Sequence, residues 1–123
     1  MNRTEAEQFG RAWIEAWNRR DVEAVLALYE DDLVFTSPRA SVVVGRATVN
    51  GKSALREYWR KALERIGKLE FHSDRVLWDP EGRELVILYT SAIDGQSKRV
   101  AETFRFGSGG LVEATEVFHG IAQ

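Results

Sequence analysis

Cysteine is absent from the 123 residues, which excludes disulfides and thiolate chemistry and fits a reducing compartment. No apolar run approaches the length needed to span a bilayer. The first twenty residues are charged and amphipathic, where a signal peptide would carry an apolar stretch. The expectation is a soluble, cytoplasmic protein with no membrane partner. A surplus of positive charge is missing too: 17 Lys and Arg against 19 Asp and Glu leave a net charge of -2. That offers no basic footprint for nucleic acid. There are two histidines, His72 and His119, distant in sequence, and no HExxH motif. No dedicated metal site is expected, and no external cofactor is implied. Gly45-Arg-Ala-Thr-Val-Asn-Gly51-Lys-Ser53 has five residues between its glycines where a phosphate loop needs four.

What is present suits one domain, residues 1–123, with 44% hydrophobic content around a single core. Thr4 to Glu7 has capping-box spacing, and Phe9, Ala12, Trp13, Ala16 and Trp17 follow at helical spacing. The first helix is expected to end at Arg19 or Arg20. Asp21 is placed to cap a second helix with Val22, Val25, Leu26 and Tyr29 inward, ending near Glu30 to Asp32. Leu33 to Ser37 reads as a short strand closed by Pro38. Ala40 to Val49 reads as an edge hairpin or bulged strand broken at Gly45. Asn50-Gly51 turns into a third helix whose inward positions are Leu55, Tyr58, Trp59, Ala62, Leu63 and Ile66, with Gly67 as its stop. Four strands follow from Leu69, with turns at Asp79 to Gly82, Asp94-Gly95 and Gly107 to Gly110. The order predicts an α+β fold, helices on one face of a curved, mainly antiparallel sheet.

The C-terminal quarter carries the chemistry. Along Arg99 to Phe106 the even positions are Val100, Glu102, Phe104 and Phe106, and alternate strand residues share a face. Glu102 therefore stands alone among apolar neighbours, a costly place for a carboxylate unless something there uses it. A strand-end ion pair or a twist out to water is the plainer account. His119 ends the last strand on the same side if Thr115 and Val117 share its face, which makes an acid–base pair with Glu102 conceivable.

Several stretches together resemble the NTF2-like (cystatin-like cone) superfamily. They are Trp13-Ile-Glu-Ala-Trp-Asn-Arg-Arg-Asp21, Leu28-Tyr-Glu-Asp-Asp-Leu-Val-Phe-Thr-Ser-Pro38, Asn50-Gly-Lys-Ser-Ala-Leu-Arg-Glu-Tyr-Trp59, and Phe104-Arg-Phe followed by Gly109-Gly110. The nearest branches are the SnoaL-like polyketide cyclases and the ketosteroid isomerases. The resemblance implies a cone of about three N-terminal helices on the curved sheet, enclosing an apolar pocket, and a homodimer through the outer sheet face. It also places the isomerases' protonated acid at Glu102, the worked case of a carboxylic acid kept neutral to donate a hydrogen bond. The isomerase base falls on Ser37, the first-helix Tyr on Trp13 and the third-helix Tyr on Trp59. A pocket-facing aromatic of the last strand falls on His119. With base and Tyr donor both replaced, steroid isomerisation itself does not carry over.

The function expected is a SnoaL-like small-molecule enzyme, performing isomerisation, cyclisation or dehydration on a hydrophobic carbonyl compound. His119 would be the base and Glu102 the acid, with Trp13, Ser37, Trp59, Tyr89, Thr115 and Val117 around the substrate. The alternative is a non-catalytic ligand-binding or dimerisation module on the same fold.

Overall fold

Two reciprocal bonds start the first helix. Asn2 accepts from the Glu5 amide at 2.8 Å and the Glu5 carboxylate accepts from the Asn2 amide at 2.9 Å. In the computed structural model, which describes residues 1–122, the capping box thus lies two residues before the expected Thr4 to Glu7. Helix α1 (Arg3–Asn18) buries Phe9, Trp13, Ile14, Ala16 and Trp17 on one face. Asp21 caps α2 (Val22–Leu26) by accepting from the Ala24 amide at 3.0 Å.

That second helix is shorter than its apolar spacing suggests. Tyr29 opens strand β1 (Tyr29–Thr36) instead of closing the helix. The reason is tertiary: Tyr29 pairs with Val112, and the Val112 amide donates to the Leu28 carbonyl at 3.0 Å. A second correction concerns residues 38–44. They form helix α3 (Pro38–Val44), not a strand. Ser37 caps it, Pro38 sits in its first turn, and Gly45 ends it at φ 79°, a left-handed conformation glycine adopts freely. Local start and stop signals outweigh the β-branched run Val42-Val43-Val44.

After β2 (Thr48–Asn50), helix α4 (Lys52–Glu64) buries Leu55, Tyr58, Trp59 and Ala62, as its spacing predicts. Four long strands complete the chain: β3 (Leu69–Asp79), β4 (Glu84–Ile93), β5 (Gln96–Phe106) and β6 (Val112–Ala122). The β4–β5 turn puts Asp94 and Gly95 at φ 50° and 83°, the pattern of a two-residue hairpin whose twist matches its strands.

Among the described residues six strands lie in the order β2-β1-β6-β5-β4-β3, and only β1 with β6 is parallel. Burial alternates along β5 with Val100, Glu102, Phe104 and Phe106 inward. On β3 the alternation slips once. Ser73 pairs with Tyr89 and Arg75 with Leu88, leaving Asp74 as the extra residue of a bulge. Before it Leu69 and Phe71 face in; after it Val76 and Trp78 pack on the core. No described helix is long and apolar enough to cross a membrane.

Candidate active site

The inward face of the sheet and the helices enclose a cavity of about 390 Å³. α1 contributes Trp13 and Trp17, α4 contributes Tyr58 and Trp59, β1 contributes Phe35, and Ser37 follows at the cap of α3. Phe71, Tyr89, Val100, Glu102, Val117 and His119 complete the sheet side. The rings brace one another. Trp13 meets Tyr89 edge-on at 5.5 Å, Trp17 meets Trp59 at 4.7 Å, and Phe71 lies 4.8 Å from Tyr89, within the range where aromatic pairs attract.

Glu102 lies at the inner end, 3% exposed. Tyr89 donates to its Oε1 at 3.2 Å and Thr115 to its Oε2 at 3.0 Å. These bonds favour the charged form, yet burial outweighs them and pushes the carboxyl up to about 8. At neutral pH Glu102 is therefore mainly a neutral acid, with its own proton to donate. Behind it, Trp13 donates to the Tyr29 hydroxyl at 3.0 Å. Burial, reinforced by the neighbouring Glu102, holds the phenols of Tyr29 and Tyr89 well above their ordinary range.

His119 occupies the other end. It is exposed, on the rim, and pairs across the sheet with Val100, while Val117 pairs with Glu102. His119 and Glu102 are thus diagonal neighbours, about 7 Å apart at their β-carbons by sheet geometry. No hydrogen bond joins them among the described residues. Partial desolvation, then the positive charges of Lys98 and Arg39, lower the imidazole below its ordinary value. This favours the neutral form, the one that accepts a proton.

Of the residues expected at the site, Trp13, Ser37, Trp59, Tyr89, Glu102, Val117 and His119 all line the cavity. Thr115 sits one layer behind the wall and acts through its bond to Glu102. The Ser37 hydroxyl accepts from the Arg39 amide at 3.2 Å as the cap of α3. Sequence reasoning missed Arg39, Phe71 and Lys98. Lys98 shares parity with Val100 and Glu102, a signal present in the alternation; Arg39 follows from α3, which the sequence reading missed.

A curved sheet wrapped with helices around an aromatic cavity is the NTF2-like, cystatin-like cone. Residues 10–114 match the SnoaL-like domain, and the chain belongs to that family. A SnoaL-like protein of unknown function from Burkholderia thailandensis is 30% identical, covers 98% of each chain and superposes with a TM-score of 0.88. A putative ketosteroid isomerase from Kribbella flavida is 18% identical over 98% of this chain and 81% of its own, with a TM-score of 0.76. SalBIII, an epoxide hydrolase/cyclase-like enzyme of pyran ring formation in salinomycin, is 15% identical over 98% and 95%, with a TM-score of 0.74. The last two show likeness of fold alone. No curated protein matches the chain in sequence.

Proposed function

We propose that the protein is a small-molecule enzyme that moves a proton on a hydrophobic carbonyl compound, by isomerisation, cyclisation or dehydration. The observation that carries this is Glu102: a neutral carboxylic acid at the inner end of an aromatic cavity, both oxygens oriented by hydroxyls. A substrate carbonyl directed at Glu102 receives its O–H as a hydrogen bond. His119 takes the proton from the carbon next to that carbonyl. The C–H electron pair passes into the enolate, whose oxygen Glu102 stabilises, and the imidazolium returns the proton to another carbon. As diagonal neighbours on one face of the sheet, the two residues can meet the same face of a flat substrate lying over them. Trp13, Trp59 and Val117 supply apolar contact, Ser37 a polar point on the wall, and Tyr89 and Thr115 hold the acid.

Deuterium uptake from D2O next to the carbonyl of 4-acetylbiphenyl and similar aryl ketones, followed by NMR, tests this without knowing the natural product. Acceleration by the wild type that falls about 10²-fold or more in Glu102→Gln and in His119→Ala supports it. Binding without exchange replaces it with the second reading, a ligand-binding module. That reading is favoured by Ser37 in the isomerase base position and by the exposure of His119.

We also propose a homodimer through the outer sheet face. Leu88, Ala101 and Phe118 form one row across three strands there, and Phe118 is 49% exposed.

A further inference from the structure

Several lysines and arginines have neither an ion pair nor a side-chain hydrogen bond among the described residues. All of these are exposed except two. The two are Arg39 and Lys98, both half-buried and both on the cavity wall. Removing a cation from water without a counter-charge is unfavourable, so finding two such cations in one cavity is informative. Arg39 comes from α3 and Lys98 from β5, and both raise the positive potential felt at His119. The nearby acid, Asp94, also lines the cavity and is lowered partly by the charge of Arg39, but its hydrogen bonds come from the Lys68 and Gly67 amides at 2.7 and 3.1 Å, and it makes no ion pair with either cation among the described residues.

The strand sets the distance between the two ends. Lys98, Val100 and Glu102 are successive inward residues of β5, so the α-carbons of Lys98 and Glu102 lie about 13 Å apart at the strand rise. One end of the cavity offers a neutral acid, the middle is aromatic and aliphatic, and the outer end holds two cations without an ion-pair partner among the described residues.

We infer that the ligand is an amphipathic carboxylate, with a flat apolar body, a carbonyl at the end that meets Glu102, and an anionic group at the outer end between Arg39 and Lys98. This rests on the carbonyl-binding reading proposed above but not on turnover. The anion stays remote from Glu102, so one group does not disturb the other. It also gives Arg39 and Lys98 the direct ion pair that neither makes among the described residues, and fixes which way round the molecule enters.

The test uses matched probes: 4'-acetylbiphenyl-4-carboxylate, its methyl ester and 4-acetylbiphenyl, with affinities measured by calorimetry. The wild type is expected to bind the acid at least about tenfold tighter than the ester, the size of one charge-assisted contact. The ratio should fall to about one in Arg39→Gln/Lys98→Gln, and Lys98→Glu alone should bring it below one. The second variant keeps the test open if the first does not fold. Equal affinity for acid and ester in the wild type overturns the anionic end while leaving the carbonyl-binding reading standing. A preference for the acid that survives in both variants overturns the assignment to Arg39 and Lys98. Failure of all three probes to bind overturns this inference and the carbonyl-binding reading together.

Discussion

Trp13 and Tyr29 meet through one hydrogen bond, indole N–H to phenol oxygen at 3.0 Å, with both side chains buried. It ties α1 to β1 directly behind Glu102. In Tyr29→Phe the buried indole N–H would lose its acceptor, so a loss of about 1–3 kcal/mol is expected. Trp13→Phe should cost more by itself because it empties volume. The double variant should lose less than the sum of the singles. Urea melts of the four proteins check this, and strict additivity would show that the bond contributes nothing.

The pH dependence of stability follows from Glu102. Its folded-state value, about 8, lies above the unfolded value of about 4.3. Its contribution is therefore fully present below the unfolded value and is lost as pH rises through the folded one. Wild type should lose stability relative to Glu102→Gln from mildly acidic pH to about pH 8, by up to about 1.4 kcal/mol per unit. Of the groups around it, Tyr29 and Tyr89 titrate far higher, Thr115 does not titrate, and His119 is lowered. A wild-type advantage that instead peaked at intermediate pH would signal an ion pair with His119, and Glu102 would lose its role as neutral acid.

Thr115→Val and Tyr89→Phe should both raise the Glu102 value further. Each hydroxyl donates to the carboxylate and lowers its value, Thr115 more than Tyr89, in keeping with the shorter bond from Thr115. Carbon-13 titration of labelled glutamate reads the order directly. A downward shift in either variant contradicts the arrangement.

Gly10 is a helix-interior glycine with a packing reason. A β-carbon there would meet Val76 Cγ2 at 2.6 Å. Alanine would gain about 1 kcal/mol of helix propensity, but Val76 is β-branched and stiff at χ1, so the clash is expected to win. Gly10→Ala should lower the melting temperature, and adding Val76→Ala should recover part of the loss. A more stable single variant would mean that the contact yields easily.

If the outer sheet face is a dimer interface, Phe118→Glu should convert the protein to monomer at micromolar concentration, read by light scattering. A wild type that is already monomeric there removes the proposal.

Much of the site was legible because strand alternation is a rigid code. Val100, Glu102, Phe104 and Phe106 share a face in the sequence and in the structure, and Glu102 was conspicuous as the polar member. The misread segments are those where two local signals compete. Ser37-Pro38 and Gly45 bracket α3 with a cap, a first-turn proline and a left-handed stop, yet the valines between them have the composition of a strand. Tyr29 fits the apolar stripe of α2 but is captured by pairing with β6, a contact with a residue 83 positions later that no local pattern announces. The exposure of His119 was equally hidden, since parity gives the side of the sheet but not the depth in the cone.

The bulge at Asp74 divides β3 into two stretches that pack on different parts of α1. Phe71, on one side, touches Trp13 and Tyr89 at the hollow. Val76 and Trp78, on the other, press on α1 and Phe106. The extra residue is fastened by Arg99, which donates to Asp74 at 2.7 Å and to Thr90 at 3.1 Å. A change of side-chain size at Phe71 therefore alters the shape offered to a ligand directly, and reaches the close helix–sheet contact at Gly10 only through Trp13 on the same helix. Strand β3 has in effect a ligand-facing end and a helix-packing end on either side of one extra residue, and a redesign of ligand preference starts from the first.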